Sequence, residues 1–342
     1  MHRARRARLL AGVAMAPALA GAIPATASAI ALSVTGDDGN PVALAAPLTI
    51  RNMNPTVGIA FAAGETAYYY RATFAGPDGI AVGSAADCYD FGISRTIDYR
   101  GNGTYSVTLQ RYSDSSCSTA VGTPQVYTFT IAGGVALTAP AGPVLTRQAN
   151  STATTPVPLP ITLNPGALTY EVRYAAGGVI GPDGGISGPS SQAYVDTTTG
   201  QVPISLSEPG RYTVVARAEG YSTSSGNFYT PWSQAVTLVA KAPFDIASTR
   251  VLDSRGPSYR ISVRLGETSA RGRVNIAYGR GRRGRYHSLG TARLSRRGSF
   301  TKRFRITRTG TYRMRFRFRG SSTVAGGSVV QRFRITRRLV SG

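Results

Sequence analysis

A five-residue pattern, Gly-x-Tyr-x-apolar, recurs three times at a domain-sized interval and constrains this 342-residue chain more than any other feature. Gly103-Thr104-Tyr105-Ser106-Val107, Gly210-Arg211-Tyr212-Thr213-Val214 and Gly310-Thr311-Tyr312-Arg313-Met314 lie 107 and then 100 positions apart. Such spacing means a repeated structural unit, not one large core. Each copy follows a short alternating stretch (96–99, 202–206, 300–306) and precedes, after a loop, a last one (126–131, 235–239, 330–335). A second echo sets Gly76-Pro77-Asp78-Gly79 beside Gly181-Pro182-Asp183-Gly184, both good turn formers. Apolar residues alternate with polar ones between Gly, Pro, Asn and Asp turns, and helical periodicity is nearly absent. The expected fold class is therefore all-β.

Units of this length, with about seven strands each, have the size of an immunoglobulin-type sandwich. The Gly-x-Tyr element resembles the start of the penultimate strand in immunoglobulin and fibronectin type III folds, where a tyrosine corner pins the preceding turn. Two antibody-type hallmarks are missing: no Cys stands two residues after the Tyr, and no Trp marks a central core strand. The one tryptophan, in Thr230-Pro231-Trp232-Ser233, opens the last strand of the second unit, as similar dipeptides do in fibronectin-like modules. The third unit resembles the bacterial immunoglobulin-like modules of secreted actinobacterial proteins, with Gly298-Ser299-Phe300 before one strand and Gly310-Thr311-Tyr312 before the next. The resemblance implies three tandem immunoglobulin-like β-sandwich domains after a signal peptide, over residues 30–132, 133–241 and 242–338. In the second, Pro156, Pro158 and Pro160 share one parity, which leaves Val157, Leu159 and Ile161 free to face a core. A row of residues lacking N–H donors belongs on a sheet edge.

The N-terminus indicates compartment. Arg3, Arg5, Arg6 and Arg8 precede an apolar run over 9–23, and Ala27-Ser28-Ala29 supplies the small residues a signal peptidase reads. A secretory signal peptide over residues 1–29 is expected. No Cys follows it for lipidation, and no later apolar stretch approaches the ~20 residues that cross a bilayer. In an exported chain the two cysteines, Cys88 and Cys117, are expected to form one disulfide within the first domain.

Charge is segregated. The whole chain has a formal net charge of +23, and residues 241–342 hold 26 Lys and Arg against Asp245, Asp253 and Glu267. Residues 30–240 carry nine arginines against thirteen acids. In residues 312–319 Tyr312, Met314, Phe316 and Phe318 alternate with Arg313, Arg315, Arg317 and Arg319, and Arg332-Phe333-Arg334-Ile335 repeats the pattern. Strand parity sends all these arginines to one outer face, and pairing of the two stretches as a hairpin would set like charges opposite one another. Arg303 and Arg305, with Arg260 and Arg264, are expected on the other sheet. Arg280, Arg282, Arg283 and Arg285 form a basic loop. Guanidinium forks suit phosphate and carboxylate, so the expected partner is an anionic polymer.

Groups for catalysis do not assemble in the sequence. The mature chain keeps one histidine, His287, in a basic loop, which supports neither a triad nor a metal cluster. Asp37-Asp38-Gly39-Asn40 reads as a turn before it reads as a calcium loop. Asp87, Asp90 and Asp114 flank the expected disulfide without an assigned role. No catalytic residue, metal or cofactor is expected. The reading is a non-enzymatic, secreted or cell-surface-associated structural or adhesive protein, whose basic C-terminal domain binds anionic envelope or matrix polymers such as an extracellular polysaccharide. One alternative is a carbohydrate-binding module array, for which a planar aromatic platform around Trp232 is diagnostic. Another is an extracellular nucleic-acid binder, which shares the arginine face, but the sequence lacks exposed aromatics interleaved with it for base stacking.

Overall fold

The computed structural model describes residues 30–336 except 45–46, 62–67, 84–87, 91, 223–225 and 255–257. The expected signal peptide and the last two residues of the expected third domain lie outside the described residues. The fold is all-β and immunoglobulin-like, and the sheets follow one another as facing pairs along the chain.

In the first pair, Ile30–Thr35 and Thr56–Phe61 are flanked by Pro41–Ala43 and Ile93–Thr96. They face a sheet ordered Thr49–Ile50, Ala120–Ile131, Gly103–Tyr112, Tyr69–Ala75. Alternation decides which side is buried: in Gly103–Tyr112 the side chains of Tyr105, Val107 and Leu109 enter the core while their neighbours do not. The second pair sets Val157–Pro160 and Gln201–Ile204 against a sheet centred on Thr169–Ala176, Gly210–Ser222 and Val236–Lys241. Val157–Pro160 has a single partner strand, and Pro158 stands opposite Pro203, so the missing N–H donors fall where no ladder needs them. The third pair joins Ile246–Ser254, Ser258–Leu265 and Ser299–Arg305 on one side. On the other it orders His287–Arg293, Arg273–Arg280, Gly310–Phe318 and Gly327–Ile335.

The repeated tyrosine does the same work each time. Tyr105, Tyr212 and Tyr312 donate their hydroxyls to the carbonyls of Gly101 (2.9 Å), Glu208 (3.0 Å) and Arg308 (2.6 Å), always four residues back. The tyrosine corner implied by the resemblance is present in all three. At the first copy the glycine is required as well: Gly103 has φ 145°, and a Cβ there would stand 2.5 Å from the Pro77 Cβ of the Gly76–Gly79 turn.

The expected disulfide is formed, with Cα atoms of Cys88 and Cys117 5.7 Å apart. Beside it the Asp114 carboxylate accepts hydrogen bonds from the Ser116 hydroxyl and from the backbone N–H groups of Ser118 and Thr119, which hold it far below the usual carboxylate range. Asp114 is thus a loop organiser.

Buried apolar side chains form one continuous cluster through the first two sheet pairs and a separate one in the third. The first junction is close-packed. Met53 N donates to Pro165 O at 2.8 Å, and Asn102 Nδ2 donates to Gly133 O at 2.7 Å. Gly220 leaves no room for a side chain, since a Cβ would lie 2.6 Å from Tyr99 Cδ1. At the second junction Arg147 Nη1 meets Asp245 Oδ2 at 2.7 Å.

Candidate polyanion interface

In Gly310–Phe318, buried Tyr312, Met314, Phe316 and Phe318 anchor one face of the strand. Parity then forces Arg313, Arg315 and Arg317 onto the other. The first two are half-buried and Arg317 is exposed, as is Arg319 just beyond the strand. Gly327–Ile335 adds exposed Arg332 and Arg334. The two strands pair as an antiparallel hairpin, with Arg313 directly opposite Arg332. The expected like-charge contact is confined to that one rung. Arg315 faces Val330, Arg317 faces Ser328 and Arg334 faces Thr311, because the two arginine runs overlap only partly in register.

On the other flank Gly279, Ala277 and Asn275 stand opposite Arg313, Arg315 and Arg317. These small side chains leave a shallow bed that Tyr286 fills. The guanidinium carbons of Arg315 and Arg313 lie 4.2 and 4.9 Å from its ring centroid. Arg313 Nη2 also donates to Gly284 O at 2.9 Å. One aromatic therefore lies among the arginines, but it is half-buried with two guanidinium groups over its ring and is not an exposed stacking surface. The run Gly284-Arg285-Tyr286-His287 holds alternate parity, but only the strand register shows which face Tyr286 covers. Arg273 and Arg293 are a further exposed rung of the same sheet, opposite each other, which the sequence reading passed over.

The other sheet carries the second group as expected. Arg260 stands directly opposite Arg303, Arg305 opposite Ser258 and Arg264 opposite Ser299. Exposed Arg250 extends this face from Ile246–Ser254. Arg280 closes the strand Arg273–Arg280 rather than lying in the loop, and its Nη2 is tied to Thr309 O at 3.0 Å; Arg282, Arg283 and Arg285 follow in the turn, and all four are exposed. His287 is the first residue of a strand, not a loop residue, and its ring lies 5.6 Å from that of Tyr278.

Carboxylates are scarce around these arginines. Asp245 is turned to Arg147, and Glu267 Oε1 accepts from the backbone of Ser269 at 2.8 Å. Among the described residues, no arginine between positions 260 and 334 forms an ion pair. Trp232, by contrast, is covered. Arg217 and Arg173 lie 4.3 and 5.2 Å from its ring centroid, and a Cβ on Gly185 would be 2.7 Å from its Nε1. Glu171 holds both arginines by ion pairs at 2.5 and 2.6 Å. This ring is packed, not presented as a platform. Asp38 closes its turn by accepting from Asn40 N at 3.0 Å, and Asp37 ties that turn to a distant loop by accepting from Asn52 N at 3.0 Å. No helix among the described residues is long and apolar enough to cross a membrane, and no group of three metal-ligating side chains occurs among them.

No protein-family model matches the sequence, and no curated protein does. Among solved structures, the chain is similar to the FN1–FN3 domains of chicken CNTN1 at 12% identity and a TM-score of 0.25, over 84% of this chain and 99% of that one. It is similar to a tetra-tandem repeat in the extending region of a large adhesion protein at 12% identity and a TM-score of 0.30, over 90% and 91%. A putative membrane anchored protein from Corynebacterium diphtheriae aligns at 12% identity and a TM-score of 0.25, over 90% and 94%. Superpositions this loose say nothing of ligands or partners.

Proposed function

We propose that this chain is an exported, non-enzymatic structural or adhesive protein of three domains, 30–132, 133–241 and 242–338, held to anionic envelope or matrix polymers by the third. The observation that carries the reading is the outer sheet face on which Arg313, Arg315, Arg317, Arg332 and Arg334 stand without a paired carboxylate. Strands place successive outward side chains about 7 Å apart, a spacing at which guanidinium forks can follow the charges of a linear polymer. The close-packed first junction suits a chain that extends this module from a surface. The packed setting of Trp232 gives the carbohydrate-array alternative no support.

The test is a salt series. Five arginine contacts to a phosphate polymer imply a log–log slope of affinity on salt of roughly −3.5 to −4.5. The triple variant Arg315→Ser/Arg317→Ser/Arg334→Ser is expected to flatten that slope and to fold, since all three side chains point away from the core. Unchanged affinity and slope in the triple variant would refute the reading.

A further inference from the structure

Four arginines drawn from both sheets of the third pair line one polar groove of about 280 Å3. Arg280 and Arg285 come from the hairpin, and Arg305 and Arg308 from the end of the opposite sheet and the turn after it. Tyr278, Gly284, His287, Ile306, Thr307 and Tyr312 complete the wall, and no carboxylate lines the groove. One of the four guanidinium groups is tied in advance, and the turn that carries another is held. Arg280 is tied to Thr309 O, and the Tyr312 hydroxyl bonds the Arg308 carbonyl at 2.6 Å and so holds the turn that carries it. Like charges gathered in a recess repel one another, and a multiply charged anion between them relieves that repulsion. The groove adjoins the outer face: chain alternation puts Arg285 in the groove while Tyr286 lies over Arg315 on the face, 4.2 Å from its guanidinium carbon.

We infer that this groove is a phosphomonoester site, which seats the terminal phosphate of an anionic chain whose length lies along the outer arginine face. The inference rests on the proposed polymer binding and adds to it the class of end group. An internal phosphodiester has one charge and two substituents that must both leave the recess. A terminal phosphate has one substituent, three free oxygens and a charge of about −1.5 to −2, which suits a groove lined by four arginines.

The experiment compares one single-stranded oligonucleotide with and without a 5′-phosphate, binding the mature chain at fixed ionic strength, with inorganic phosphate as competitor. The phosphorylated strand is expected to bind about tenfold tighter. Inorganic phosphate is expected to erase the difference, and Arg285→Gln/Arg305→Gln to abolish it. The outer-face triple variant should weaken both strands and preserve their ratio. Should the double variant misfold, Arg308→Gln serves instead, because its backbone carbonyl still receives the Tyr312 bond. Equal binding of the two strands overturns the site and leaves the polymer reading standing, even where inorganic phosphate binds alone. Binding of neither strand overturns the polymer reading and this inference with it. In that case, stabilisation by inorganic phosphate over chloride at equal ionic strength, lost in Arg285→Gln/Arg305→Gln, would still mark the groove as a site for free phosphate.

Discussion

Replacing Arg147 by Met isolates the junction between the second and third sheet pairs. Arg147 and Asp245 meet at 2.7 Å with side chains 21% and 8% exposed. The same Nη1 also donates to Ser151 O at 2.9 Å, so one guanidinium nitrogen bridges the carboxylate and a backbone carbonyl. Asp245 Oδ1 has no hydrogen-bond partner, and Gly266 packs against it so closely that a Cβ would lie 2.3 Å away. Without Arg147 the carboxylate keeps its burial and loses its one cation. Removing one member of a buried ion pair costs about 3–5 kcal/mol. Because Arg147 is partly solvated, the expected loss is at the low end, about 3 kcal/mol. Calorimetry on residues 30–342 reads it as a lowered transition for the sheet pair that contains Asp245. In Arg147→Met/Asp245→Asn no charge remains buried, and more than half of the loss should return. A single variant within about 0.5 kcal/mol of the parent would refute the argument.

Reduction of Cys88–Cys117 should lower the unfolding transition of the first sheet pair alone. For a separation of 29 residues the chain-entropy relation gives about 3.6 kcal/mol. Free thiols titrated in the oxidised, folded protein would contradict the pairing. Alkaline pH should destabilise the same sheet pair. Burial pushes the Tyr105 phenol from an ordinary value of 10.0 up to about 12, and burial moves Tyr99 the same way. The fold therefore favours the neutral phenol. This contribution is complete below pH 10 and is lost as pH rises from 10 to about 12. Urea midpoints measured across that window should fall, and a flat profile would exclude the effect.

Much of the fold was legible because its signals are local. Alternation in residues 312–318 named the buried and outward side chains of that strand before any partner was known, and the structure keeps every assignment. The Gly-x-Tyr repeat foretold a tyrosine corner, since the bond it makes spans only four residues. The proline row announced an edge strand for the same reason: a missing N–H is a property of the residue itself. The site was legible only in part. Parity placed Arg313, Arg315, Arg317, Arg332 and Arg334 on one face, but it did not reveal that Tyr286 lies among them or that Arg273 and Arg293 extend the face. Those facts depend on which strands are neighbours.

The all-β class, the repeated unit, the disulfide partners and the concentration of positive charge in the last hundred residues are all readable along the chain. Each follows from composition, from a period of two, or from a contact a few residues long. Tertiary structure alone decided that Arg313 faces Arg332 while Arg315 faces Val330, that Arg280 and Arg285 meet Arg305 and Arg308 across a groove, and that Asp245 answers to Arg147. A register shift of one residue would turn a strand's outward side chains inward. Apolar burial summed over whole strands fixes that register, and contacts between distant segments exist only once it is fixed.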